Sequence, residues 1–193
     1  MQLKRTNVQQ FDFIYQDMQK QFPPAERKPK ELLRQLIQQQ VYDLVLAYEQ
    51  ETPVGYILLC PTPFQTVWLD YIAVFSQFHS HGYGSKMLQH LSTVYPNYAG
   101  CLLEVEQADP TVPNTLRRIH FYESLGCKKY PFYYALPTMD SSLPMDLYWM
   151  PWKSSSLPLD LLQCSIRHAF QTIHQDIPHW KEVYQTIIQR MAK

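Results

Sequence analysis

The stretch IAVFSQFHSHGYGSKML, residues 72–88, decides how this chain is read. It opens on an apolar run, Ile72-Ala73-Val74, passes through a short polar loop with two glycines, and ends in a helix. The helix is marked by Met87, Leu88, Leu91, Val94 and Tyr95 at helical spacing over residues 82–95. A helix that starts this way leaves its first N–H groups without intrahelical partners, at the positive end of its dipole. Such an N-terminus can hold a phosphate. Two of the chain's five glycines, Gly82 and Gly84, lie here and would let a bulky diphosphate approach the backbone. Taken alone, the same pattern also describes an ordinary tight turn.

Upstream, Val8, Phe11, Ile14, Tyr15, Met18 and Phe22 predict a first amphipathic helix, ended by Pro23 and Pro24. Pro29 opens a second, with Leu32, Leu33, Leu36 and Ile37 as its apolar face. VYDLVLAYE (41–49) and VGYILLC (54–60) read as antiparallel strands, and TVWLDYIAV (66–74) as a third. Downstream, CLLEVEQ (101–107) is a strand ending at Asp109-Pro110, and NTLRRIHFYESLG (114–126) a helix stopped by Gly126. Two aromatic strands, 128–136 and 146–152, follow around a Ser/Pro turn. From Pro158, Leu162, Ile166, Phe170 and Ile173, then Trp180, Tyr184, Ile187 and Met191, mark two further helices. The order βααβββαβαββ plus a helical tail predicts an α+β domain over 1–153, with a C-terminal helical extension, 154–193, packed on it. Strand and helix alternate over 66–126, which implies a parallel crossover within an otherwise antiparallel sheet.

The 17 basic and 17 acidic side chains of the 193 residues cancel, so no overall field draws the protein to nucleic acid or an anionic membrane. No apolar run reaches the roughly 18 residues of a membrane span, and MQLKRTNVQQFDF lacks the apolar stretch of a signal peptide. A soluble, cytoplasmic protein is expected. Cys60, Cys101, Cys127 and Cys164 are widely spaced within apolar runs, as reduced core thiols are, and neither they nor the seven histidines show metal-ligand spacing. No metal is expected.

With these pieces in order, residues 41–136 resemble the GNAT superfamily of N-acetyltransferases. That family's pattern is an apolar strand, a Gln/Arg-x-x-Gly-x-Gly/Ala loop, a helix, another strand, and a helix bearing aromatic-Tyr-x-x-x-Gly-aromatic. The chain supplies Ile72-Ala73-Val74, the loop His79 to Gly84, LLEVE (102–106) and FYESLGC (121–127). The first two helices also fit the family's N-terminal half. IAV, LEV and FYESLG are similar to the ribosomal-protein alanine acetyltransferase branch. Three positions depart from the pattern: His79 replaces Gln or Arg, Cys127 replaces Phe, and Thr115 stands where Asn is common, with Asn114 one place earlier.

The resemblance implies a GNAT acyl-CoA N-acyltransferase fold, a mixed, mostly antiparallel sheet flanked by helices, using acetyl-CoA as cosubstrate. It places the pyrophosphate on the N–H groups of Ser80, His81, Gly82, Tyr83, Gly84 and Ser85. His79 and Asn114 become additional contacts, and Ile72, Ala73 and Val74 the backbone that pairs with the pantetheine arm. The N–H of Val74 or Ala73 would meet the thioester oxygen, where negative charge develops. Tyr122 falls at the general-acid position and Glu104 at that of the proton acceptor, with Asp70 as second candidate. Strand alternation sets Trp68, Asp70 and Ile72 on one face, and Leu102, Glu104 and Glu106 on another. Carboxylates in central strands are costly to bury unpaired, so a salt-bridged carboxylate is the competing reading for each, as a core aromatic is for Tyr122. Glu26 falls where the family often lines the acceptor site. Tyr133 or Tyr134 would line that cleft or pack the tail, and His90 and His120 fall at exposed helix positions. Cys60, Cys101 and Cys127 lack a His/Asp partner in the sequence, which favours direct transfer in a ternary complex. The acceptor would be a small-molecule amine or a protein or peptide amine. Two other readings stand beside this one: a non-catalytic acyl-CoA-binding module, and a protein-interaction domain whose tail forms a partner or homodimer surface.

Overall fold

The computed structural model describes residues 1–191. The chain divides into two compact units, the first made of Met1–Pro61 with Leu69–Pro96, the second of Thr62–Trp68 with everything from Asn97 onward.

The first unit holds strand β1 (Gln2–Thr6), helices α1 (Phe11–Gln21) and α2 (Lys30–Gln38), strands β2 (Asp43–Glu49) and β3 (Thr52–Pro61), the Leu69–Val74 part of β4 (Thr66–Val74), and α3 (Tyr83–Val94). Its strands lie in the order β1-β2-β3-β4. β2 pairs antiparallel with β1 (Leu3↔Ala47) and with β3 (Leu44↔Leu58). Burial in β2 and β3 is continuous, Leu44 to Ala47 and Val54 to Cys60, rather than alternating, which marks strands covered on both faces. The covering comes from helices with the expected apolar stripes: Phe11, Ile14, Tyr15 and Met18 on α1, Leu33, Leu36 and Ile37 on α2, Met87, Leu88 and Leu91 on α3. Phe22 closes α1 by donating to the Met18 carbonyl (2.9 Å), and Pro29 caps α2, where a fixed φ costs nothing. α3 packs against β1 and β3. The tightest approach is at Gly55, where a Cβ would stand 2.5 Å from the Ala73 carbonyl oxygen and 2.9 Å from Met87 Sδ.

The second unit contains β5 (Gly100–Glu106), α4 (Pro113–Ser124), β6 (Lys128–Lys129), β7 (Tyr134–Pro137), β8 (Ser142–Pro151), α5 (Leu159–Thr172) and α6 (Trp180–Met191). β8 is its organiser, pairing antiparallel with β5 (Glu104↔Leu147), β6 (Lys129↔Tyr148) and β7 (Tyr134↔Met145). The single aromatic strand expected over 128–136 is therefore two. Tyr130 still donates to the Leu147 carbonyl (2.9 Å), but Pro131 has no N–H to continue the ladder, and pairing resumes only at Tyr134. β8 likewise starts at Ser142, four residues ahead of the expected 146, because it forms a hairpin with β7. α4 stops as foreseen. Gly126 has φ +82°, and Cys127 N–H reaches back to the Tyr122 carbonyl (3.1 Å). The tail helices bury Leu162, Ile166 and Phe170 of α5 and Val183 and Ile187 of α6, and α6 packs against α5 and β7.

The fold is thus the expected mixed, mostly antiparallel sheet with flanking helices. Among the described residues no helix is long and apolar enough to cross a membrane. Since neither backbone oxygen nor helix can yield freely at Gly55, Gly55→Ala is expected to lower stability by about 1–3 kcal/mol. Urea unfolding checks this, and an unchanged midpoint contradicts so close an approach.

Candidate active site

In the first unit the expected phosphate loop grows out of β4. Ala73 turns its carbonyl toward β3 at Gly55, and Phe75 N–H donates to the Val54 carbonyl (2.9 Å). Backbone groups alternate along a strand, so Val74 directs its N–H and C=O the other way. Of the two amides considered for the thioester oxygen, Val74 is the one turned away from β3. Its carbonyl accepts hydrogen bonds from Gln21 Nε2 (3.0 Å) and His79 Nε2 (2.8 Å). Because a carbonyl only accepts, His79 carries its proton on Nε2, and His81, whose Nδ1 bonds the His79 carbonyl (2.7 Å), carries it on Nδ1. Both imidazoles hold the loop in shape.

Ser80 (φ +65°) and Gly82 (φ +73°) are left-handed, and the coil they make delivers the chain into α3. Among the described residues no side chain caps α3 at Gly82, and its first turn carries no acidic residue. The first N–H to bond back within the helix is that of Lys86, onto Gly82 (3.2 Å). A Cβ on Gly82 would meet nothing within 4 Å. His79, Ser80, His81 and Gly82 are exposed, Tyr83, Gly84 and Ser85 half-buried, and the Lys86 ammonium sits 5.2 Å from the Tyr83 ring centroid. An uncapped helix start with an open flank, a nearby cation and no carboxylate fits a diphosphate.

Asp70 belongs to a different arrangement in the same unit. Its side chain is only 8% exposed and is held by Lys28 Nζ at 3.2 and 3.3 Å and by the Tyr42 hydroxyl at 2.6 Å. Burial first, then the Asp70 charge, hold the Tyr42 phenol well above its ordinary range, so it stays a donor. Next along β4, the Tyr71 hydroxyl accepts from Lys28 N–H (3.0 Å) and donates to the Glu26 carbonyl (2.9 Å). β4 thereby fastens the linker between α1 and α2. Glu26 itself is exposed, and Ile72 half-buried.

In the second unit Glu104 is the centre of a buried polar cluster. Tyr134 donates to Oε1 (2.5 Å) and Trp68 Nε1 to Oε2 (3.4 Å), while His174 Nε2 stands 3.8 Å from Oε1. The Trp68 and Tyr134 rings lie 6.4 Å apart, and Phe170 packs against both Tyr134 (6.2 Å) and His174 (5.2 Å). Glu106, two residues on, is instead tied to Arg118 of α4. One turn after Arg118 comes Tyr122, half-buried, whose phenol is pushed up to about 12, by desolvation foremost, with Arg118 pulling the other way. The Cys127 thiol is likewise pushed up to about 12 by burial, which makes it a poor nucleophile. At the start of α4 the Thr115 hydroxyl accepts from Asp109 N–H (3.0 Å) and donates to the Val112 carbonyl (2.9 Å), while Asn114 is exposed. Tyr134 is fully buried on Glu104, whereas Tyr133 lies under Arg190 of α6, its ring centroid 4.2 Å from the guanidinium. His90 and His120 are exposed. Of the residues around Glu104, Trp68 and Tyr134 were within reach of strand alternation and aromatic content. His174 was not, because no local signal ties a tail residue to β5.

Comparison with known proteins bears on the family and the fold. The family model for the acetyltransferase (GNAT) family matches residues 11–127. A protein from Bacteroides thetaiotaomicron assigned to the GNAT acetyltransferases superposes with a TM-score of 0.76 at 24% identity, over 90% of this chain and 97% of that one. The Escherichia coli ribosomal-protein-S18-alanine N-acetyltransferase gives 0.58 at 17% identity, over 82% and 99%. An aminoglycoside 6'-N-acetyltransferase solved with coenzyme A gives 0.56 at 16%, over 77% and 95%. At these identities the structures speak to the fold alone, and no curated protein matches in sequence. The match to the family model covers more than half of the sequence, and the chain belongs to the GNAT acetyltransferase family.

Proposed function

We propose that this protein transfers the acetyl group of acetyl-CoA to a primary amine by direct attack within a ternary complex. The uncapped start of α3 at Gly82, entered through two left-handed residues, carries this reading, since an anion is what those N–H groups lack. In it, residues 80–85 bind the diphosphate, Ile72 to Val74 offer backbone to the pantetheine arm, and Val74 N–H meets the thioester oxygen. Acetyl-CoA, when bound, supplies the activated acyl group. The acceptor enters as its ammonium, and Glu104, held by Tyr134 and Trp68, accepts the first proton from it. Tyr122 gives its phenolic proton to the departing sulfur and regains one from the second N–H of the nitrogen. Two protons leave the nitrogen in all: one ends on the CoA thiol, the other in solvent. Asp70, engaged by Lys28 and Tyr42, is assigned a structural part in place of the base role. The acceptor class follows what those similar structures are named for, an aminoglycoside or an alanine of a ribosomal protein, without choosing between them.

Calorimetric titration with acetyl-CoA and release of CoA thiol over a panel of small amines and peptide N-termini test the reading. Absence of any acyl-CoA affinity sinks it, while binding without turnover favours a non-catalytic binding module. Tyr122→Phe and Glu104→Gln are each expected to cut kcat by about 10²–10⁴-fold with acetyl-CoA binding retained. Full activity in either variant removes that residue from the mechanism. Because burial raises the Tyr122 pKa, its acid form persists far above neutrality. The rate should therefore show no basic limb from this group below about pH 10, and a clear fall between pH 8 and 9 would contradict the assignment. Asp70→Asn removes the charge paired with Lys28 and should lower stability in urea unfolding by about 1–3 kcal/mol, with kcat of the folded protein nearly unchanged.

A further inference from the structure

His174, on the turn after α5, is 3% exposed, and among the described residues its Nε2 has no hydrogen-bond partner. A buried ring nitrogen without a partner is costly unless it has a task. It faces Oε1 of Glu104 at 3.8 Å, just beyond hydrogen-bond reach. The groups gathered on this carboxylate divide by chemistry. Tyr134 from β7 and Trp68 from β4 bring an O–H and an N–H, which stabilise its ionised form. His174 can bring a lone pair, which suits the protonated form. An O–H on Glu104 can donate to such a nitrogen once the two close.

Resting on Glu104 as the base, we propose that His174 is a positioning and relay residue, the group to which Glu104 passes the proton taken from the amine. The amine N–H bond breaks as an O–H forms on Glu104. That O–H then breaks as an N–H forms at His174 Nε2, leaving an imidazolium and a restored carboxylate, and the imidazolium gives its proton to solvent before the next turnover. Phe170, packed on both His174 and Tyr134, and Tyr184, which packs on Phe170 and accepts from Arg167, fix the imidazole from the α5 and α6 side. The C-terminal helices would thus furnish part of the proton path as well as packing.

NMR of the assigned His174 imidazole in the ligand-free protein tests the coupling without any substrate. In Glu104→Gln the ring resonances of His174 should shift at a fixed pH, because the group facing Nε2 has changed; unshifted resonances overturn the proposal. With the amine identified by the panel, His174→Gln and His174→Phe should both lower kcat about 10-fold or more, leave KM for acetyl-CoA in place, and move the acid limb of the pH profile. A merely structural histidine would let Gln keep the wild-type limb and rate, and that result also overturns it. Full turnover in Glu104→Gln removes the base and the relay together, whereas a crippled Glu104→Gln beside an unimpaired His174→Gln removes the relay alone.

Discussion

The close approach at Gly55 governs the first unit. There β3 runs so near both the Ala73 carbonyl and Met87 that only a hydrogen side chain fits. That contact sets which way each peptide of β4 turns at its end, and with it the direction of Val74. The Met87 thioether of α3 closes over the same position. The loop from Phe75 to Gly82 passes through left-handed Ser80 and Gly82, staples itself with His79 and His81, and leaves the helix start bare.

The two buried carboxylates illustrate how environment divides labour between similar groups. Asp70 is met by a full cation, Lys28, and a phenol, a combination that satisfies it and commits it to holding the linker between α1 and α2. Glu104 is met by the Tyr134 hydroxyl and the Trp68 indole N–H, which lower the cost of holding a charge there. Glu106 is bound in turn by Arg118, and the contrast among the three rests on partners that come from other elements.

Much of this was legible in the residues. Helices α1 to α6 follow apolar spacing and prolines, Gly126 ends α4 as its position suggests, and the loop into α3 is announced by Gly82 and Gly84. Where local pattern misleads, a single atom or a distant partner is responsible. Pro131 looks like one residue in an aromatic strand, yet the missing N–H splits it. Asp70 and Glu104 look alike on neighbouring positions of alternation, because Lys28, Tyr42 and Tyr134 reach them only through tertiary structure. His174 lies 70 residues from Glu104 in sequence, on the turn after a helix whose periodicity speaks only of core.

β8 receives β5, β6 and β7 along one backbone, so the bond between Tyr134 and Glu104 is referenced to it twice, through Met145 and Leu147. Inserting or deleting one residue between those two positions would turn Tyr134 and Glu104 to opposite sides of the sheet. Length variation in this part of the molecule is then tolerable only at the hairpin tip, Thr138 to Ser141, which lies outside both ladders. Among descendants of this sequence, gaps should collect there and shun the middle of β8.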